Sequence, residues 1–257
     1  MNFNVLAVGD VVGAPGLGFL SRHLRSIIEM KNVSFTVVNG ENANVLGITP
    51  RQADEIFAAG ANVITLGNHT WSRREIQGYL DQNRNILRPL NFAVQCPGSG
   101  IGVYETDVGD IAVINLMGRY AMDSNIDNPF FAAEAALREI DTKLVLVDMH
   151  AEGTSERMAM GYFLDGRVSA VWGTHTHVQT SDACILNMGT GYISDLGMTG
   201  AKNSILGIKP ELSISKFLGD PPERFEAAEG PCKLECAVFE INPDTGACVG
   251  VEAMRIT

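Results

Sequence analysis

Positive charge is scarce in this chain: 19 Lys and Arg stand against 30 Asp and Glu, a net charge of −11 over 257 residues. A broad surface for DNA or RNA rests on basic side chains that neutralise phosphates, so an extended nucleic-acid face is excluded. A small phosphate ester is not, because bound cations invert the local field inside an acidic protein. Long apolar runs are also missing. No stretch approaches the roughly 18 consecutive apolar residues of a membrane span. The run from Met1 to Val12 has no basic region and no small-residue cleavage site, so it is expected to be a first strand and not a secretion signal. There are only five cysteines (Cys96, Cys184, Cys232, Cys236 and Cys248) and no CxxC pair. They cannot all be disulfide-bonded, and a reducing cytoplasm is the expected location. Cys232 and Cys236 would share a strand face, where packing is the better reading than metal binding. Repeats, low-complexity tracts and clear linkers are absent too, which makes one domain over 1–257 the simpler expectation.

What is present is an alternation of short apolar runs and amphipathic stretches. Phe3–Val8, Phe35–Val38, Val63–Leu66, Leu144–Val147 and Val168–Trp172 read as strands buried on both faces. Helices are expected from Leu20 to Ile28, after Thr49-Pro50 up to Gly60, over Pro129–Ile140, and over Thr154–Leu164 with Thr154 as N-cap. Ser72 and Glu75 suggest a capping box for a helix through Tyr79 and Leu80. Gly13–Gly18 reads as a turn leading into the first helix, and it lacks the GK[ST] ending of a P-loop. Ile101–Leu116 carries a hairpin signal near Gly109-Asp110. The last third is strand-rich, with Ile185–Leu186, Tyr192–Ile193, Leu234–Ile241 and Cys248–Met254. Early βαβ units followed by clustered strands suggest an α/β fold of two sheets packed face to face with helices outside.

The chemistry-bearing residues sit where these runs end. Asp10, Asn39-Gly40-Glu41-Asn42, Gly67-Asn68-His69, His150 and Gly173-Thr174-His175-Thr176-His177 follow in that order. Strand ends collected on one sheet edge would bring hard oxygen ligands and imidazoles together, a mixture that suits iron, manganese or zinc. Two metals about 3.5–4 Å apart are the usual means of hydrolysing phosphate esters. His175 and His177 would share a face if their backbone were extended. His23 has no partner motif and reads as a surface residue. No HxHxDH run is present, which disfavours a metallo-β-lactamase-type hydrolase.

Those segments, with Leu66-Gly67-Asn68-His69-Thr70-Trp71, His150-Ala151-Glu152, Thr154-Ser155-Glu156 and Gly197-Met198-Thr199-Gly200, resemble the YmdB branch of the calcineurin-like metallophosphoesterase superfamily. The resemblance spans essentially the whole chain. It departs from the general superfamily pattern at Asp10, which is followed by Val11-Val12, so the His expected two residues on is missing. It implies a four-layer αββα sandwich, with 71–92 and 116–131 as candidate cap segments. It also implies two divalent or mixed-valence metal ions. Asp10, Asn42 and His177 would hold one, Asn68, His150 and His175 the other, and Glu41 would bridge them. With so many oxygen donors, iron or manganese is favoured over zinc. His69 would protonate the leaving oxygen or stabilise phosphoryl charge.

Secondary substrate contacts are expected from Arg119, Thr154, Ser155 and Thr199. Trp71 or Tyr120 could stack on a base. The expected activity is a phosphodiesterase on small phosphodiesters, with cyclic nucleotides implied by the resemblance. A phosphomonoesterase, or a metal-binding regulatory scaffold with vestigial hydrolysis, is the alternative. Homo-oligomer formation is left open.

Overall fold

Continuous apolar runs are buried on both faces because alternate residues of one strand feed different cores. In β1 (Phe3–Val8), Leu6 and Val8 point to one core while Phe3, Val5 and Ala7 point to another. The computed structural model describes residues 2–122 and 125–257. After β1 come β2 (Asp10–Val11), α1 (Gly13–Met30), β3 (Phe35–Asn39), α2 (Pro50–Ala59), β4 (Val63–Thr65), α3 (Ile76–Gln82) and β5 (Ile86–Leu87). A hairpin of β6 (Ile101–Thr106) and β7 (Gly109–Met117) is followed by α4 (Pro129–Glu139), β8 (Leu144–His150), α5 (Thr154–Leu164) and β9 (Ala170–Thr174). The remainder comprises β10 (Cys184–Ile185), β11 (Gly191–Ile193), β12 (Met198–Ala201), α6 (Pro210–Leu218), β13 (Cys232–Ile241) and β14 (Cys248–Ile256).

Eight strands form one sheet in the order β2-β12-β13-β1-β3-β4-β5, with β14 also paired to β13; six form the other, β10-β11-β9-β8-β7-β6. β1, β3, β4 and β5 run parallel, as do β7, β8, β9 and β11. One core lies between α1–α3 and the first sheet, a second between the two sheets, and a third between the second sheet and α4 and α5. The molecule is therefore the expected αββα sandwich. Each Leu, Ile or Phe buried in these layers contributes about 1.5–3 kcal/mol.

Local expectations differ at several places. Gly13–Gly18 is not a turn but the first turns of α1. The glycines serve close packing: a Cβ on Gly16 would overlap the carbonyl of Thr199 in β12. Thr49 and Gln52 form a full capping box at α2. Ser72 and Glu75 form none: Thr70–Ser72 is a short 3-10 turn, and α3 starts after Glu75 without a side-chain cap. The cap position of α5 is Gly153, and the Thr154 hydroxyl instead accepts from Arg157 Nη2 at 3.4 Å. Helix α6 and strands β5 and β12 had no counterpart among the expected elements.

The two segments expected as a cap meet through Phe92, which packs against Met117, Met122 and Ile126 and lies tilted against Trp71, with ring centroids 5.5 Å apart. Residues 123–124 of the second segment lie outside the described residues. Cys232 and Cys236 are buried in the helix-facing core, as expected of packing residues. His23 is half-buried against Phe19, at 4.2 Å between rings, and not fully on the surface. Among the described residues, no helix is long and apolar enough to cross a membrane.

Candidate metal centre

Parallel strands deliver their C-terminal ends to one edge, and in open α/β sheets that edge is where ligands bind. Here it carries Glu41 and Asn42 just beyond β3, Asn68 and His69 beyond β4, His150 closing β8, and His175 and His177 beyond β9. Asp10, in β2, joins them because β2 pairs with β12 in the sheet that carries β3 and β4.

Four donor atoms converge on one point. His150 Nε2 lies 2.9 Å from Asn68 Oδ1, 3.1 Å from Glu41 Oε1 and 3.1 Å from His175 Nδ1. Glu41, His150 and His175 form the group whose donors lie within 4.8 Å of one another. The protons around them can be placed by elimination. Thr174 Oγ1 spends its hydrogen on Asp148 Oδ1 at 2.8 Å, so it accepts from His150 Nδ1 at 2.9 Å. In the neutral ring that leaves His150 Nε2 with the lone pair. His175 Nε2 faces Glu152 Oε2 at 3.2 Å, which turns the Nδ1 lone pair inward. The Asn68 amide nitrogen lies 3.4 Å from His69 Nε2, which directs its oxygen to His150. Three donors thus lie near 3 Å from His150 Nε2, about the separation of cis donors on a metal whose bonds are ~2.1 Å long. Gly67 makes room for them, because a Cβ there would overlap both His150 Nε2 and Glu41 Oε2.

A second, looser set lies beside the first. His177 Nδ1 donates to Leu206 O at 2.9 Å, so its Nε2 lone pair faces Asn42 Oδ1 at 3.3 Å and Asp10 Oδ1 at 3.7 Å. The Asn42 amide nitrogen donates to Val45 O at 2.8 Å, which turns its oxygen toward the site. Asp10 Oδ1 is buried with no hydrogen-bond partner. Its other oxygen accepts from the His175 amide at 3.1 Å, which joins the two sets. Glu41 belongs to the first set, and its Oε2 turns to the His69 amide at 3.1 Å.

Protonation equilibria express the same demand for positive charge. Burial raises Asp10 to about 7, against the opposing pull of His177. Burial alone would lower His150, but the facing Glu41 carboxylate carries it up to about 9. Burial alone would raise Glu41, but the attraction of His150 outweighs it and takes the carboxyl down to about 2. Burial and the neighbouring His150 push His175 down to about 3, so it remains a neutral donor. Burial also lowers His69. A proton held among lone pairs takes the place a metal cation would fill, and metal ligands of this kind must shed theirs to bind. The residues fit a divalent metal.

Two expectations about side-chain direction need correction. His175 and His177 are not on extended backbone: β9 stops at Thr174, and their φ values are 109° and 62°. They serve different donor sets as a result, and not through a shared strand face. Trp71 is packed on the core beside Phe92 and is not free to stack on a base. Tyr120 is free, being 68% exposed.

Of the expected substrate contacts, Arg119, Thr154 and Ser155 are exposed. Among the described residues the Arg119 side chain forms no ion pair. Its amide and that of Tyr120 donate to the Glu156 carboxylate at 2.9 and 3.2 Å. Thr199 is fully buried in β12 with its hydroxyl unpartnered. No hydrogen bond joins any of these four side chains to the donor sets among the described residues.

The orienting residues were missed at the sequence level. Asp148 and Thr174 align His150, and Thr65 Oγ1 donates to Asp148 at 2.5 Å. Asp195 and Arg157 also escaped notice, and Glu152 drew attention only as a neighbour of His150. Asp148 did leave a signal: it is an acid inside an apolar run, two residues before His150 and so on the same strand face.

Residues 6–254 match the model of the family described as YmdB-like protein. The chain is 41% identical over 255 residues to the 2′,3′-cyclic-nucleotide 2′-phosphodiesterase of Bacillus subtilis (strain 168), covering 98% of this chain and 96% of that one. A solved structure of a Thermus thermophilus protein, described as hypothetical, superposes with a TM-score of 0.92 at 37% identity, covering 99% of both chains. A second, described as a novel phosphatase of Mycoplasma pneumoniae, gives 0.93 at 32% identity, covering 100% of this chain and 94% of that one.

Proposed function

Because the chain belongs to the YmdB-like family, we propose that it is a metal-dependent phosphoric ester hydrolase acting on small phosphodiesters, with cyclic nucleotides as the favoured class. The observation that carries this reading is the convergence of donor atoms from Glu41, Asn68 and His175 on His150 Nε2, where a bound metal would replace the proton that Glu41 holds on His150. Asp10, Asn42 and His177 would hold a second ion, and Glu41 would serve both. Four of these seven residues offer oxygen, which favours iron or manganese over zinc. Metals bound there supply Lewis-acid polarisation of the phosphoryl oxygens and a water acidic enough to attack at neutral pH.

The chain's own residues do the remaining work. Asp148 and Thr174 fix the His150 ring, Glu152 orients His175, and the Leu206 carbonyl orients His177. His69 has its amide anchored on Glu41 and its ring half-exposed at the mouth of the site, where it can give a hydrogen bond or proton to the leaving oxygen. The Glu156 carboxylate holds the Arg119–Tyr120 turn beside the His150 strand end, where Gly118 N bonds His150 O at 2.9 Å. From there Arg119 can pair with a phosphate and Tyr120 can stack on a base, a contact of about 1–3 kcal/mol. Thr154 and Ser155, which are exposed, would line the approach, whereas Thr199 is buried in β12. The segments 71–92 and 116–131 would form one wall of the entrance.

The B. subtilis relative's name supports a 2′,3′-cyclic nucleotide, and the M. pneumoniae description keeps a phosphomonoester in view. The test is metal content together with kcat/KM for 2′,3′-cyclic AMP, 3′,5′-cyclic AMP and a folded RNA at matched salt. The expected result is two metals per chain and efficient turnover of a cyclic nucleotide, because a net charge of −11 repels a polyanion. Efficient RNA cleavage with little activity on either cyclic nucleotide would reject the substrate class. No bound metal after metal-supplemented expression would reject the centre. Turnover of p-nitrophenyl phosphate far above its bis ester would favour a monoesterase.

A further inference from the structure

We infer that Asp195 and Arg157 are positioning residues that hold the His175–His177 segment in the shape that serves both donor sets. The inference rests on the metal-binding reading above. His175 and His177 have φ of 109° and 62°, a region that side-chain-bearing residues rarely adopt. Such backbone persists only where its surroundings over-determine it. Here the constraint acts on the residue between the two imidazoles. Thr176 donates both its amide, at 3.1 Å, and its hydroxyl, at 2.8 Å, to Asp195 Oδ2.

Asp195 is itself held on every side. Its Oδ2 pairs with Arg157 Nη1, and its Oδ1 accepts from Gly197 N at 2.8 Å. Its own amide donates to Thr180 Oγ1 at 3.0 Å, and its carbonyl accepts from Thr180 N at 3.1 Å. The next residue, Leu196, donates its amide to Gly173 O at 2.9 Å, at the end of the strand that feeds the histidines. Through Gly197, whose carbonyl accepts from Asp10 N at 3.2 Å, the same loop also reaches the strand that carries Asp10. One loop therefore touches both sides of the centre.

Burial pushes the Asp195 carboxyl up at 0% exposure, and Arg157 opposes this by pairing with it, as a buried charge requires. At 2% exposure Arg157 is out of reach of a substrate phosphate, so its role runs through Asp195. Gly173 completes the arrangement, because a Cβ there would overlap both the Ser194 carbonyl and Arg157 Cδ.

The test uses the full chain, stripped of metal, with Mn2+ as the probe and no substrate. Thr176→Val keeps the volume and the Asp195–Arg157 pair but removes the hydroxyl contact. Asp195→Asn weakens the whole clamp, and Thr176→Ser restores the hydroxyl. Calorimetric titration should show Mn2+ affinity falling about 10–100-fold in the first two variants, as for other residues that orient metal ligands, with recovery in Thr176→Ser. Backbone hydrogen exchange over residues 174–177 of the metal-free protein should accelerate in Thr176→Val and not in Thr176→Ser. Asp195→Asn leaves Arg157 without its charge partner, so the Thr176 variants carry the decision if it fails to fold. Unchanged affinity and unchanged exchange in Thr176→Val would overturn the inference. Wild-type protein that takes up no Mn2+ would instead overturn the functional reading, and the exchange measurement would still judge the clamp.

Discussion

A methyl group at Gly67 is the smallest change that should empty the first donor set. Its Cβ would overlap His150 Nε2 and Glu41 Oε2, two rigidly held atoms. Gly67→Ala should therefore lose metal while keeping its secondary structure. Metal analysis beside far-ultraviolet circular dichroism checks this, and full metal content in the variant would refute the crowding argument. His69 should behave in the opposite way. Its imidazole makes no close contact with the converging donors other than Asn68, so His69→Ala should keep its metals and lose roughly 10²-fold or more in kcat for ribose esters. A p-nitrophenyl leaving group needs little protonation, so its loss should be smaller if the ring acts as an acid. Equal losses on both substrates would point to charge stabilisation, and full activity would remove His69 from the mechanism.

At the scale of elements, the helices that build the outer layers should tolerate change without disturbing the centre. Thr49 caps α2 reciprocally with Gln52, and Thr49→Ala should cost about 1 kcal/mol of stability with metal content unaltered. Denaturant unfolding reads the first quantity and elemental analysis the second. Loss of metal in this variant would mean that α2 holds the Glu41–Asn42 turn more tightly than the hydrogen bond from Gln52 Nε2 to Ala43 O at 2.8 Å suggests. Helix α1 is less forgiving. Its first turns lie directly against β12, so side chains added at Gly16 push on the strand that pairs with β2, which carries Asp10.

For the whole molecule, a metal bound at this centre would also be a staple. The candidate donors come from both sheets: Asp10, Glu41 and Asn68 belong to strands of one or to the turns that follow them, and His150, His175 and His177 to those of the other. A metal bound by the native arrangement and not by the unfolded chain stabilises by about 2.7 kcal/mol at a hundredfold excess over Kd. For a chain of this size that corresponds to a melting-temperature difference on the order of 5–10 °C. Chelation should lower the melting temperature by that amount, and resupply of Mn2+ or Fe2+ should restore it. Identical melting with and without chelator would argue against ligands shared between the two sheets.

The amino-acid sequence by itself determined the layers and which polar side chains gather at their edge. Apolar runs at strand length, each closed by Asp, Asn, Glu or His, place those residues at strand ends, and a parallel sheet gathers its strand ends on one edge. The side chains expected as ligands duly meet there, in two neighbouring sets. Tertiary structure decided what the local pattern could not carry. Gly13–Gly18 has turn composition but is helix, because the space it vacates is filled by a β12 carbonyl that is distant in sequence. Extended periodicity gives His175 and His177 a common face. Instead they turn apart on positive-φ backbone held by Asp195, which is 19 residues from Thr176. Asp148, Thr174, Arg157 and Asp195 look like ordinary polar residues in the chain. They acquire a role only where folding buries them against a ligand, because a hydrogen bond across elements depends on packing and leaves no period to read.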